Sequence, residues 1–263
     1  MDADSETGVS IPSSLEQVRI APLPAAAYYI ADFLSKDEER LILDKIASAP
    51  KPRWKQLTHR RLQTWPSDLI QGALLESPLP SWLEDPVVSR LLSIPLCANG
   101  AVDDDNDHDD KSTNIFTLSP HKRPNHVLIN EYPSGIGIMP HKDGTAYHPV
   151  VCTVSLGSSL CLDIYKTKED GALQPEPVYR ILQEPRSLLI TTEDLYTDYL
   201  HGIADTDKDI DLSEETIANW SLLRSPTSFE GGRNLRQTRT SLTYRDVLKV
   251  SKLGNKFARL LKR

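Results

Sequence analysis

From residue 125 onward the chain is written in short apolar or alternating pieces. They are NHVLINEY (125–132), HPVVCTVSLG (148–157), LCLDIYK (160–166), PVYRILQE (177–184), RSLLITTE (186–193), TDYLHGI (197–203) and TRTSLTYRDV (238–247). Gly, Pro or charged clusters separate them, with no helical periodicity in between. Strands at such spacing predict an antiparallel barrel or a two-sheet jelly roll rather than βαβ units. The first third reads differently. AAAYYIADFL (25–34) suits a first strand. Ser35 with Glu38 then makes a capping box, and Leu41, Ile42 and Ile46 form a helical stripe behind it. A second helix is expected through SWLEDPVVSRLLSI (81–94), its start blurred by Pro86.

The pattern therefore predicts an α+β fold, a jelly-roll core with supporting N-terminal helices. Residues 1–20 read as a flexible arm and 21–263 as one domain. Within it, helices occupy 24–124, the jelly roll 125–246 and a basic helix 247–263, while 95–124 read as a long acidic loop.

Composition adds limits. Hydrophobic residues make up 39% and charged residues 25% of 263, as in an ordinary water-soluble domain. No apolar run approaches the roughly 20 residues needed to span a bilayer, so no membrane partner is expected. The start, MDADSETGVSIPSSLEQV, has neither the basic nor the apolar region of a signal peptide. Cys97, Cys152 and Cys161 form no CxxC pair and no even set, which favours a reducing, intracellular setting, cytoplasm and nucleus. A monomer is expected.

The net charge of −7 looks wrong for a nucleic-acid binder, but charge is unevenly spread. AVDDDNDHDD (101–110) and ADTDKDIDLSEE (204–215) carry six acids each, whereas KPRWKQLTHRRLQTWP (51–66) holds five Lys/Arg and no acid. The tail after Asp246 adds six basic residues and no acid. Local patches of this kind say more about partners than the total does.

Candidate chemistry begins in YPSGIGIMPHKDG (132–144). On a strand His141 and Asp143 point the same way. A second histidine would complete two imidazoles and a carboxylate, which leave open coordination positions of the non-haem Fe(II) type. His59 and His108 sit in charged runs and read as solvent-facing; His121 and His126 flank a strand entry and are candidates for capping or substrate contact. His148 is a reserve ligand, and His201, on a late strand just ahead of Gly202, is either the third ligand or a core histidine. A jelly roll folds its late strands back beside its early ones, which allows the former. RTSLTYR (239–245) puts Arg239, Ser241, Thr243 and Arg245 on one strand face and Thr240, Leu242 and Tyr244 on the other. Two inward arginines about 20 Å apart along the backbone can lean together and grip the ends of a small dicarboxylate. Alternation alone leaves open which face is inside.

Taken in order, NEY (130–132), HKD (141–143), HGI at 201 and RTSLTYR at 239–245 resemble the AlkB family of Fe(II)- and 2-oxoglutarate-dependent dioxygenases. The similarity runs from about residue 24 to 250. The resemblance implies a double-stranded β-helix fold, with His141, Asp143 and His201 as iron ligands. It assigns Asn130, Tyr132, Arg239, Ser241, Thr243 and Arg245 to 2-oxoglutarate, Arg239 pairing with the distal carboxylate and Arg245 lying near the chelating end. Trp54 through Trp65 would belong to a nucleotide-covering lid, with Trp54, Lys55, Arg60, Arg61 and Trp65 contacting substrate. The implied reaction consumes O2 and 2-oxoglutarate and removes N-methyl groups from alkylated bases in single-stranded or flipped nucleic acid, RNA or DNA. Ser241 stands where repair-active members tend to carry Asn, and Gly144, Thr145 and Ala146 replace a charged run; both departures concern the substrate. Two rivals keep the fold: a nucleic-acid or protein-binding module with little turnover, and an oxygenase acting on a protein or lipid.

Overall fold

The structure is a computed structural model that describes residues 8–24, 26–97, 113–168 and 170–252. The acidic run 101–110 and the basic tail beyond 252 lie outside the described residues. The strands, in chain order, are β1 (Ala27–Ile30), β2 (Lys55–Gln56), β3 (Arg61–Trp65), β4 (Leu74–Leu75), β5 (His126–Tyr132), β6 (Ile138–His141), β7 (Val150–Leu156) and β8 (Leu160–Tyr165). They continue as β9 (Tyr179–Gln183), β10 (Leu188–Thr192), β11 (Leu200–Ile203), β12 (Lys208–Ile210), β13 (Arg233–Leu235), β14 (Arg239–Arg245) and β15 (Val250–Ser251).

The strands build a seven-stranded sheet, β1-β10-β7-β14-β5-β3-β2, and a four-stranded sheet, β6-β11-β8-β9. Two small pairs, β12-β13 and β15-β4, complete the set. Each strand expected after residue 125 is present, and the jelly-roll α+β reading holds.

Helix α1 (Lys36–Ala47) starts on the capping box: Glu38 N–H donates to Ser35 Oγ at 3.1 Å and Ser35 N–H to Glu38 Oε2 at 2.8 Å. Ile42 and Ile46 are buried as expected, but Leu41 is 56% exposed, so the stripe is narrower than its sequence suggested. The helix expected over 81–94 is broken into α2 (Ser81–Leu83) and α3 (Ser89–Ser93). Between them Asp85 is extended (φ −108°, ψ 130°), because a following proline disfavours the helical region.

Two terminal expectations need correction. The arm is not loose throughout: Leu15 and Ile20 are fully buried, and Leu15 N–H bonds to the Pro95 carbonyl at 2.9 Å. The described start of the C-terminal segment is extended, not helical, with β15 running parallel to β4.

The period-2 pattern sorts side chains to two sides of the large sheet. Val127, Ile129, Val154, Leu242 and Tyr244 pack against Phe33, Ile42, Ile46, Leu83 and Leu91 of the helical layer. The other side faces the four-stranded sheet. There Tyr29 and Leu189 cluster with Ile164 and Ile181, and the remaining space is a cavity.

Candidate metal centre and its cavity

The cavity between the sheets has a volume of about 390 Å³. Packing decides the question the alternation of β14 left open. Leu242 and Tyr244 are consumed by the helical layer, so Arg239, Ser241, Thr243 and Arg245 line the cavity. By the same parity β5 contributes Leu128, Asn130 and Tyr132, and β7 contributes Val151 and Thr153.

His141 ends β6, and β11 pairs antiparallel with it so that His201 lies directly opposite. Their ring centroids are 4.4 Å apart. Ligand atoms of His141, Asp143 and His201 all lie within 4.8 Å of one another, close enough to hold one metal ion. His148 is not part of this group; its backbone N–H bonds the Asp246 carbonyl at 2.8 Å. His121 is taken up by Asp246, 2.6 Å from its Nδ1, and His126 is buried without lining the cavity.

Local contacts orient the members of the group. His141 Nδ1–H donates to the Met139 carbonyl at 2.9 Å, which leaves the Nε2 lone pair for a metal. Burial pushes the His201 pKa down to about 4, so this imidazole is neutral at pH 7. Asp143 receives Arg245 Nη2 at 2.9 Å, an ion pair with both side chains 8% exposed.

Two glycines let β6 and β11 come this close. A Cβ on Gly137 would sit 2.0 Å from the Ile203 carbonyl oxygen, and one on Gly202 would sit 3.0 Å from Pro140 N. Gly137→Ala is expected to cost about 3 kcal/mol or more, since backbone rather than a flexible side chain must move. It should also weaken metal binding by shifting His141 against His201. Thermal unfolding together with a metal titration checks this; a variant as stable as the wild type would contradict the close approach.

The far end of the cavity holds Arg239. Its Nε donates to Ser155 Oγ at 2.7 Å and its Nη2 to Gln183 Oε1 at 2.9 Å. Burial lowers its pKa to about 10, still charged at neutral pH. Among the described residues no carboxylate pairs with it. Asn130 Oδ1 and Arg245 Nε are buried without a hydrogen-bond partner, and Tyr132 stands between Arg239 and Arg60, about 5.9 Å from each guanidinium to its ring. A cavity with two imidazoles and a carboxylate at one end, a lone buried guanidinium at the other and orphaned polar atoms between fits Fe(II) and a small dicarboxylate. Gln183 and Ser155 were missed in the sequence; the available signal was a polar residue interrupting an otherwise apolar strand face.

The basic stretch 51–66 forms the β2–β3 hairpin at the edge of the large sheet. Its residues part company there. Arg60 lines the cavity and also an outer groove of about 910 Å³ that shares Ile138, His141 and Ile203 with it. Arg61 instead forms a two-bond pair with Glu131, at 2.6 and 2.9 Å, and covers the Trp54 ring at 4.0 Å. Lys55 is paired with Asp68. Trp65 packs edge-on against Trp82 and under Arg53, and both Trp54 and Trp65 lean on the helix-side core. Neither Trp54 nor Trp65, the residues expected to stack a base, lines the cavity or the groove.

A model of the 2OG-Fe(II) oxygenase superfamily matches residues 26–245. The chain belongs to that family. It is 37% identical over 243 residues to the probable RNA/DNA demethylase ALKBH6 of Danio rerio, covering 90% of this chain and 92% of that one. An uncharacterized protein, L905, of Acanthamoeba polyphaga mimivirus is 26% identical over 230 residues, 84% of each chain. The solved structure of OsALKBH1 superposes with a TM-score of 0.51 at 16% identity, covering 85% of this chain and 98% of that one, which supports the fold. The AlkB likeness seen in the motifs is thereby upheld. As a member of this family the protein is an oxidoreductase that takes Fe(II), 2-oxoglutarate and O2. Among the described residues no helix is long and apolar enough to cross a membrane.

Proposed function

We propose that this chain oxidatively demethylates alkylated bases in single-stranded RNA or DNA, with His141, Asp143 and His201 as the iron ligands and Arg239 as the anchor of 2-oxoglutarate. The observation that carries the reading is the cavity itself: a two-histidine, one-carboxylate group faces a lone buried arginine across it, under a hairpin that lends one cation to its mouth. The relative named a probable RNA/DNA demethylase supports the substrate class. Three unbridged cysteines, two of them buried, support a reducing location such as cytoplasm or nucleus.

Bound Fe(II) and 2-oxoglutarate would supply an O2-derived oxidant strong enough to break an N-methyl C–H bond. The protein's part is geometry and dryness. His141 presents Nε2 because Met139 holds the proton on Nδ1, His201 stays neutral through burial, and Arg245 steers the Asp143 carboxylate. Asn130 and Tyr132, with Ser241 and Thr243, line the cavity with polar groups that would hold the cosubstrate. Leu128, Val151, Leu162, Ile164 and Leu189 exclude water around it. A base inside a duplex could not enter a cavity this deep, so the substrate must be single-stranded or flipped.

Mass spectrometry of nucleosides after incubating N-methylated single-stranded oligonucleotides with the protein, Fe(II), 2-oxoglutarate and O2 tests the reading directly. Loss of the methyl mark with matching succinate is expected. Succinate formed without any change in the oligonucleotide would be uncoupled turnover, which shows an active iron site but overturns these oligonucleotides as its substrate.

The hairpin gives a second test. Arg60→Ala should weaken binding of single-stranded oligonucleotide and flatten its salt dependence by about one unit of slope. Arg61→Ala should leave the slope nearly unchanged, because Glu131 already neutralises that guanidinium. Fluorescence anisotropy across a salt series separates the two, and an unaltered slope in the Arg60 variant would remove this residue from the phosphate contacts.

A further inference from the structure

Among the described residues two other buried arginines are matched by a carboxylate: Arg245 by Asp143, Arg236 by Asp209. Arg239 is as deeply buried, at 3% exposure, yet its two hydrogen-bond partners are a hydroxyl and a carboxamide, both uncharged. An unmatched guanidinium in a low-dielectric interior is costly, and a carboxylate at the position of Gln183 would relieve that cost. Gln183 is itself 1% exposed, on β9 of the opposite sheet, with its carboxamide oxygen aimed across the cavity. The neighbouring carboxylate, Glu184, points the other way along the strand and is satisfied by the Tyr29 hydroxyl and the Arg224 and Ser225 backbone N–H groups.

We propose that Gln183 and Ser155 are positioning residues that fix the Arg239 fork while leaving its charge unspent, so that the site itself lacks the counter-ion that an incoming dicarboxylate supplies. The inference rests on the reading of Arg239 as the 2-oxoglutarate anchor and names what makes that anchor available. Neutral acceptors orient the guanidinium through Nε and Nη2, and among the described residues Nη1 makes no hydrogen bond, so one edge of the fork remains for the ligand. Stability of the empty protein is sacrificed to affinity, and the two should therefore move in opposite directions when residue 183 gains a charge.

The test is calorimetric titration of 2-oxoglutarate into anaerobic, Fe(II)-loaded protein, alongside thermal unfolding of the ligand-free protein. Gln183→Glu should raise the ligand-free Tm by roughly 3 °C and weaken 2-oxoglutarate binding on the order of 30-fold or more, because an internal ion pair competes with the ligand. Gln183→Met removes the acceptor but adds no charge. It should lower Tm and weaken binding by less than about tenfold, since only orientation is lost. A Q183E protein that is less stable than Q183M, or that binds 2-oxoglutarate as the wild type does, overturns the proposal. So does a Q183M variant that binds as poorly as Q183E, which would make shape rather than charge decisive. Arg239→Gln serves as the reference: if it binds 2-oxoglutarate normally the anchor reading itself fails, whereas if it loses binding and Q183E does not, only the role of Gln183 falls.

Discussion

Asp143→Ala is expected to abolish stoichiometric Fe(II) binding and with it turnover, an effect larger than the ten- to hundred-fold losses typical of removing a supporting group. The carboxylate is the one anionic member of the group formed with His141 and His201, and two neutral imidazoles alone make a weak site for a hard ferrous ion. The structure adds a second consequence. Asp143 is the partner of Arg245, whose Nε is already without a hydrogen bond, so truncation strands a buried guanidinium. The variant should therefore unfold at a lower temperature as well, with a cost of about 3 kcal/mol or more. Asp143→Asn separates the two losses: it keeps an acceptor for Arg245 and should recover part of the stability without recovering iron. Metal content by mass spectrometry and a melting curve measure both. The same metal assay compares His201→Ala with His148→Ala. Should the former hold iron as tightly as the wild type while the latter does not, the third ligand has been misassigned.

Arg239→Lys should lower affinity for 2-oxoglutarate by about tenfold or more, a loss of about 1.4 kcal/mol or beyond. Lysine keeps the positive charge but has no planar fork. It cannot hold Ser155 and Gln183 with two nitrogens and offer a third edge to a carboxylate, as the arginine does. A shorter, more strongly hydrated ammonium would also sit deep in a cavity between β14 and β9 where no carboxylate of the described residues meets it. Titration calorimetry of the cosubstrate decides the matter, and unchanged affinity would sink the assignment.

Much of this architecture could be read from local pattern. Ser35 and Glu38 start α1 because a capping box satisfies backbone N–H groups within one turn of chain. The seven late strands follow from period-2 alternation broken by Gly, Pro and charge, and a strand written that way has few other stable conformations. The ordered His141, Asp143, His201, Arg239 and Arg245 pointed to a family because the order of motifs survives without any knowledge of their contacts.

What the sequence left open were choices of partner. Alternation along RTSLTYR divides Arg239 from Leu242 but does not say which side is inside; the helical layer, by taking Leu242 and Tyr244, turned the arginines to the cavity. Pairing of β6 with β11 at a register that sets His201 against His141 spans sixty residues of chain, and the tight packing at Gly137 and Gly202 holds it. Five basic residues in 51–66 looked alike until Glu131 and Asp68 claimed Arg61 and Lys55 and left Arg60 at the cavity. Gln183 had no signature beyond being polar in an apolar strand. Periodicity and capping act within a few residues, so the chain declares its elements locally. Which face is buried, which strands meet and which charge stays unmatched are settled by pairing across the sheets, and that depends on residues far apart in sequence.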